Sequence, residues 1–163
     1  MSEDTPTPAL RARLAASYEA YVLSDLARAA VPIPVAAGTP GALLTEAAGV
    51  LAAAHRLLDA AVVHERLAGA GWDLVGAVLG ISPRAARVRF ALAEAAFHEQ
   101  LRPLGALDTA RTAQLPPYVL QEPLEAALDL DDWVLRHTDG DTPGTTPVSG
   151  ALLRTPRQPE GPG

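Results

Sequence analysis

Three arginines follow a serine and a proline in ISPRAARVRF, residues 81–90, and no acidic residue interrupts them. The whole chain carries a formal charge of −6, so Arg84, Arg87 and Arg89 form a local positive segment in an acidic protein. A guanidinium presents a rigid fork of donors that pairs with guanine O6 and N7, and it also neutralises phosphates. Ser82 suits a helix N-cap, and the N–H groups of the helix behind it attract phosphate oxygens. Val88 lies on the outward side with Arg84 and Arg87. Arg84 and Arg87 are the candidates for base edges or phosphates, and Arg89 for a phosphate at the edge of the buried face. This chemistry is recognition of a duplex nucleic acid and involves no bond making. Pro83 counts against it at one position, because proline offers no donor.

Local elements must hold those residues outward. Trp72, Val75 and Leu79 recur at i, i+3 and i+7 and predict a short helix with one apolar face. Gly76 on that helix leaves room for the close approach of a second backbone. Gly80 follows the last apolar position, where a helix ends readily in a left-handed residue. Ile81 plugs the turn, Ser82 caps the next helix and Pro83 takes its first position, where a missing N–H is no loss. Ala86 and Phe90, one turn apart, face back toward the first helix. A short helix, a tight glycine turn and a helix with an arginine-rich outer face match the geometry that enters a major groove.

With those residues in place, the segment LDAAVVHERLAGAGWDLVGAVLGISPRAARVRF resembles the core of small actinobacterial helix-turn-helix proteins. That group carries a V-x-E-R-like helix end, here Val63, Glu65 and Arg66, and then a W-x-x-[IV]-[GA]-x-x-L-G-[VI]-[ST] unit. The unit is matched by Trp72, Val75, Gly76, Leu79, Gly80, Ile81 and Ser82, followed by Ala86, Arg89 and Phe90. The resemblance covers about a third of the chain and implies a sequence-specific DNA-binding protein, distantly similar to sigma-factor region-four domains. Two positions depart from the pattern: Gly71 stands where a Ser or Thr cap is usual, and Pro83 where a basic or polar residue often begins the recognition helix.

A helix-glycine-helix unit also simply joins two core helices, and the arginines shift the reading toward double-stranded DNA. The alternative is a protein-interaction module of the same shape that docks a sigma factor or another regulator. The two diverge on one feature. Carboxylates of Glu94, Glu99 or the Asp129–Asp132 segment folded beside Arg84 and Arg87 would cancel their charge and favour a protein partner, whereas an open positive patch would favour DNA. A third possibility, a sensor with a small-molecule pocket, requires a concave site among the N-terminal helices that the sequence does not display. Three arginines are few for one copy, so useful affinity calls for a homodimer reading half-sites about one DNA turn apart.

Composition narrows the classes further. A chain of 163 residues supports one domain with extensions. Apolar residues reach 48% while aromatics are only 4%, so the core must be built from small side chains between closely spaced helices. All thirteen basic residues are arginine and cysteine is absent, which excludes disulfides and thiolate chemistry. The opening MSEDTPTPALRAR is polar where a signal peptide needs a basic and then an apolar region, and charge or His interrupts every apolar run, so a cytoplasmic location is expected. No phosphate-binding glycine loop, G-x-S-x-G or H-E-x-x-H pattern points to an enzyme or a cofactor. His55 and His64 are nine apart, on opposite sides of one helix, and cannot form a metal pair there; His98 and His137 stand alone. Asp129, Asp131 and Asp132 read as solvated charges on a surface helix.

The expected fold is all-α, a helical bundle containing the helix-turn-helix with a disordered C-terminal tail. Residues 1–7 are a flexible leader, and 8–41 hold an N-terminal helix with Leu10, Leu14, Tyr18, Tyr21 or Val22, Leu26 and Ala29 inward and a Pro/Gly linker. Residues 42–102 hold a spine helix, with Leu44, Ala47, Leu51, Ala54, Leu58, Ala61, Glu65 and Ala68 on one stripe widened by Leu43, Val50, Leu57 and Val62, and the core unit 72–90. Residues 103–137 form a loop and a last helix from Pro123 to His137 with Leu124, Ala127, Leu128, Leu130 or Asp131, and Val134 or Leu135 inward. Gly, Pro and Thr dominate the tail 138–163.

Overall fold

Proline starts and glycine interruptions divide the chain into helices, and the computed structural model describes residues 6–33, 38–102, 116–137 and 146–153. The fold is all-α, with no strand among the described residues. Helix α1 spans Pro8–Ala29 and α2 spans Ala42–Leu67; α3 is Trp72–Leu79, α4 Pro83–Gln100, α5 Pro117–Gln121, α6 Pro123–His137 and α7 Ser149–Leu153. Pro8 sits in the first turn of α1, where the Thr7 hydroxyl accepts the Leu10 N–H at 3.2 Å. Gly41, at φ +90°, turns the chain into α2.

Helices α1 and α2 form an antiparallel hairpin, because its near end joins His64 to Ala9 and its middle joins Arg56 to Glu19. His64 Nδ1 donates to the Ala9 carbonyl at 2.9 Å, and Arg56 Nε donates to Glu19 Oε2 at 3.0 Å. Three apolar clusters run across the bundle. Val62, Val75, Ala86 and Phe90 join α2, α3 and α4. Ala12, Ala15, Val63, Phe97 and Leu120 join α1, α2, α4 and α5. Leu14, Val119, Ala126, Ala127 and Leu130 place α6 on α1 and α5. Alanines at the crossings let the helices approach closely, as the scarcity of aromatics requires.

Several inward faces differ from the sequence expectation. In α1 the buried set is Ala12, Leu14, Ala15, Ala16 and Glu19, while Leu26 and Ala29 are exposed, so the buried stripe is centred on alanine. In α2 only Ala53, Val62 and Val63 are buried; Leu44 and Leu51 are 75% and 58% exposed, because no described element covers the far end of the hairpin. In α6 Ala126, Ala127, Leu130 and Asp131 turn inward and Leu124 and Leu128 outward.

Asp131 departs from the reading as a surface acid and matches the inward alternative to Leu130. It is buried: its carboxylate accepts the Val148 and Ser149 N–H groups and the Ser149 hydroxyl, and so caps α7 from α6. Asp129 and Asp132 do lie exposed, and Asp132 pairs with Arg136 at 2.7 Å. Within the expected tail, 146–153 fold against α6 in this way, whereas 138–145 and 154–163 lie outside the described residues. Helix α5 was also unforeseen. Pro117 begins it, a position proline favours, and Val119 and Leu120 are buried under it. Much of the preceding loop, 103–115, lies outside the described residues.

Candidate nucleic-acid interface

The turn between α3 and α4 is built as the local sequence requires. Gly80 adopts φ +68°, ψ +29°, which ends α3, and the Ile81 N–H donates to the Gly76 carbonyl at 2.9 Å. A Cβ at Gly76 would stand 2.6 Å from the Ile81 carbonyl oxygen and 3.1 Å from Pro83 N, so the backbone of the turn lies directly on this glycine. Gly76→Ala should therefore lower stability by about 1–3 kcal/mol through overpacking. Urea denaturation of the two proteins checks this, and an unchanged midpoint would contradict the close approach. Ser82 accepts the Ala85 N–H at 3.1 Å and caps α4, with Pro83 in the first turn. Gly71 provides no side-chain cap for α3; the first-turn Asp73 carboxylate lies over Gly71 and supplies negative charge at that helix end.

Ala86 and Phe90 are fully buried and anchor α4 on α2 and α3. A second anchor was not foreseen. Arg66, at the end of α2, stacks 4.3 Å from the Trp72 ring centroid, donates to the Ala70 carbonyl at 2.6 Å and pairs with Glu94 at 3.4 Å. One guanidinium thus ties α2 to the starts of α3 and the middle of α4. The adjacency of Glu65-Arg66 and Trp72 carried a hint of this, but Glu94 comes into reach only when α4 folds back.

With the unit held in this way, Arg84, Arg87 and Val88 share the outward face of α4, at i, i+3 and i+4, and all three are exposed. The carboxylates that could have neutralised them are engaged elsewhere: Glu94 with Arg66, Glu99 with Arg102 at 3.1 Å, Asp132 with Arg136, and Asp131 with the start of α7. Among the described residues no carboxylate lies within ion-pair distance of Arg84 or Arg87. Arg89 is separate from that pair. It lies on the flank toward α2, its guanidinium 5.0 Å from the Phe90 ring centroid, and its charge acts on Asp59. Ser82 is exposed at the N-terminus of α4, one residue before the helix.

Burial pushes the Asp59 carboxyl above its ordinary value, and the charges of Arg89 and His55 draw it partly back. Burial likewise raises Glu19, offset in part by the hydrogen bond and charge of Arg56. A raised carboxyl holds its proton in the folded state over a pH range where the unfolded chain has released it. Stability is then greatest below the ordinary carboxylate value and falls as pH rises through the raised one. Asp59→Asn should flatten part of that decline in urea midpoints measured across a pH series. A profile parallel to that of the wild type throughout would sink the assignment to Asp59.

The outer surface of the unit is not purely polar. Val78 and Val88 are 75% and 78% exposed, and Leu74 and Leu92 are exposed as well. Compared with known proteins, the chain matches no family model, no curated protein and no solved structure.

Proposed function

We propose that this chain is a sequence-specific DNA-binding protein, a transcription regulator that places α4 in the major groove of double-stranded DNA. The observation that supports this best is the pair Arg84 and Arg87, outward on a capped helix and without an ion-pair partner among the described residues, whose carboxylates Glu94, Glu99 and Asp132 pair elsewhere. In this reading Arg84 and Arg87 meet base edges or phosphates, and Val88 offers an apolar contact to a thymine methyl. The start of α4 at Ser82 meets a phosphate, and Arg89 adds charge from the flank. No catalytic step or cofactor belongs to this function, and its place is the cytoplasm. Helix α2 has the length and composition of a bilayer span, with 17% of its apolar window buried; its Arg56 pairs with α1 and its Val62 and Val63 pack in the core.

The reading includes a homodimer formed at the far end of the α1–α2 hairpin. There Leu43, Leu44 and Leu51 are exposed next to the linker residues Val31 and Ile33. Sedimentation should give twice the chain mass at micromolar concentration, and a monomer that nonetheless binds one DNA site tightly and specifically would refute the dimer.

Selection of bound sequences from random DNA, repeated at two salt concentrations, tests the function itself. An enriched motif that weakens with added salt is expected. The exposed Val78 and Val88, together with Pro83, favour a second reading, in which the same face docks a sigma factor or another regulator. No enrichment at low salt would overturn the DNA reading and leave that one.

A further inference from the structure

Ala86, Phe90 and Phe97 mark the buried line of α4, and the line opposite them is what a groove would meet. At about 100° per residue, Val88 stands at the centre of that outer line. Arg84 precedes it by one turn, Ala91 and Ala95 follow it, and all are exposed. Arg87 and Arg89 are the chain neighbours of Val88, so each turns about 100° from it, to opposite flanks. The packing agrees. Glu94, two turns after Arg87 on the same flank, reaches Arg66 at the end of α2, whereas Arg89 borders a cleft of about 350 Å³ between α1, α2 and α4.

A helix lying in a major groove about 12 Å wide turns its outer line to the base edges and its flanks to the two phosphate walls. From Ser82 to Ala93 there is no Asn, Gln, Asp, Glu, Lys or His. The outer line therefore has no amide to pair with adenine N6 and N7 and no carboxylate to accept from cytosine N4. It has the fork of Arg84, which matches guanine O6 and N7, and the exposed methyls of Val88, which match the methyl of thymine. These two residues are about 6 Å apart along α4, close to two base-pair steps of about 3.4 Å.

We propose that the half-site holds a G·C pair read by Arg84 and, about two steps away, a T·A pair read by Val88, while Arg87 and Arg89 hold the two phosphate strands and read no base. The inference rests on the DNA reading and fixes, within it, which arginine confers specificity.

The test uses duplexes of the selected site with 7-deazaguanine in place of one guanine, or uracil in place of one thymine. The first loses only the N7 acceptor and the second only the methyl. Wild-type affinity should fall at least about fivefold for 7-deazaguanine at one position and about two- to fourfold for uracil at another. Arg84→Ala should bind the guanine and 7-deazaguanine duplexes alike, and Val88→Ala the thymine and uracil duplexes alike. Arg87→Ala and Arg89→Ala should keep both penalties and each reduce the slope of log affinity against log salt by about one. Modified and unmodified duplexes are compared on the same protein, so a loss of stability in a variant cannot mimic these results. A wild type indifferent to either substitution, a selected site without guanine, or a 7-deazaguanine penalty that disappears in Arg87→Ala or Arg89→Ala and persists in Arg84→Ala would overturn the proposal. Each of those results leaves the DNA reading standing, whereas a wild type that selects no sequence removes both.

Discussion

Phe90→Ala should lower the free energy of unfolding by about 3–5 kcal/mol, the range for removing a fully buried aromatic ring. Phe90 is 0% exposed and meets Val62 of α2, Val75 of α3 and Ala86 one turn earlier, with Leu58, Trp72, Leu79 and Ile81 around that cluster. These neighbours come from three helices already in close contact, so the site cannot collapse to fill the space. Most of the cavity cost should then appear in the measurement. Trp72 sits against the same cluster and reports the transition by fluorescence during urea denaturation. A loss under about 1 kcal/mol, the size of an ordinary surface change, would mean that α4 is not anchored where the structure puts it.

Arg84→Ala and Arg87→Ala should do the opposite. Both side chains are exposed and make no ion pair with a described carboxylate, so stability should stay within about 0.5 kcal/mol of the wild type. Binding to the selected DNA should fall instead, by about 1–3 kcal/mol for a residue that reads a base, with discrimination relaxed at that base pair. A residue that meets a phosphate should weaken all sequences alike and reduce the slope of log affinity against log salt by about one. Affinity measured at several salt concentrations on matched and mismatched sites separates these outcomes. If both variants bind as the wild type does, α4 is not the recognition helix. Measuring stability beside affinity also separates this result from that of Phe90→Ala, in which binding would be lost through unfolding.

Local chemistry was legible without coordinates. Ser82 caps the helix that follows it, Gly80 ends α3 in a left-handed turn, and Ala86 and Phe90 face inward, all within a few residues of the signal that announced them. Burial farther along the chain was less legible. Glu19 lies off the apolar stripe of α1 and is nevertheless 3% exposed, because Arg56 reaches it from α2 and offsets the cost of burying its charge. The periodicity of α6 left Asp131 open as an inward residue, but nothing in the spacing said that it caps a helix beginning eighteen residues later in the chain. Neither pairing has a spacing signal, since each partner arrives on another helix.

The sequence by itself determined the all-α class, where each of the four long helices begins and the glycine turn that aims Arg84 and Arg87. These depend on contacts among near neighbours, for which propensity, capping and periodicity are sufficient. Only the tertiary structure decided which charges remain open. Glu94 stands ten residues, about 15 Å along α4, from Arg84, and the path of α4 across the end of α2 brought it to Arg66. The cleft beside Arg89 was likewise decided in three dimensions, because alanines on three separate helices had to meet before their small size left a space.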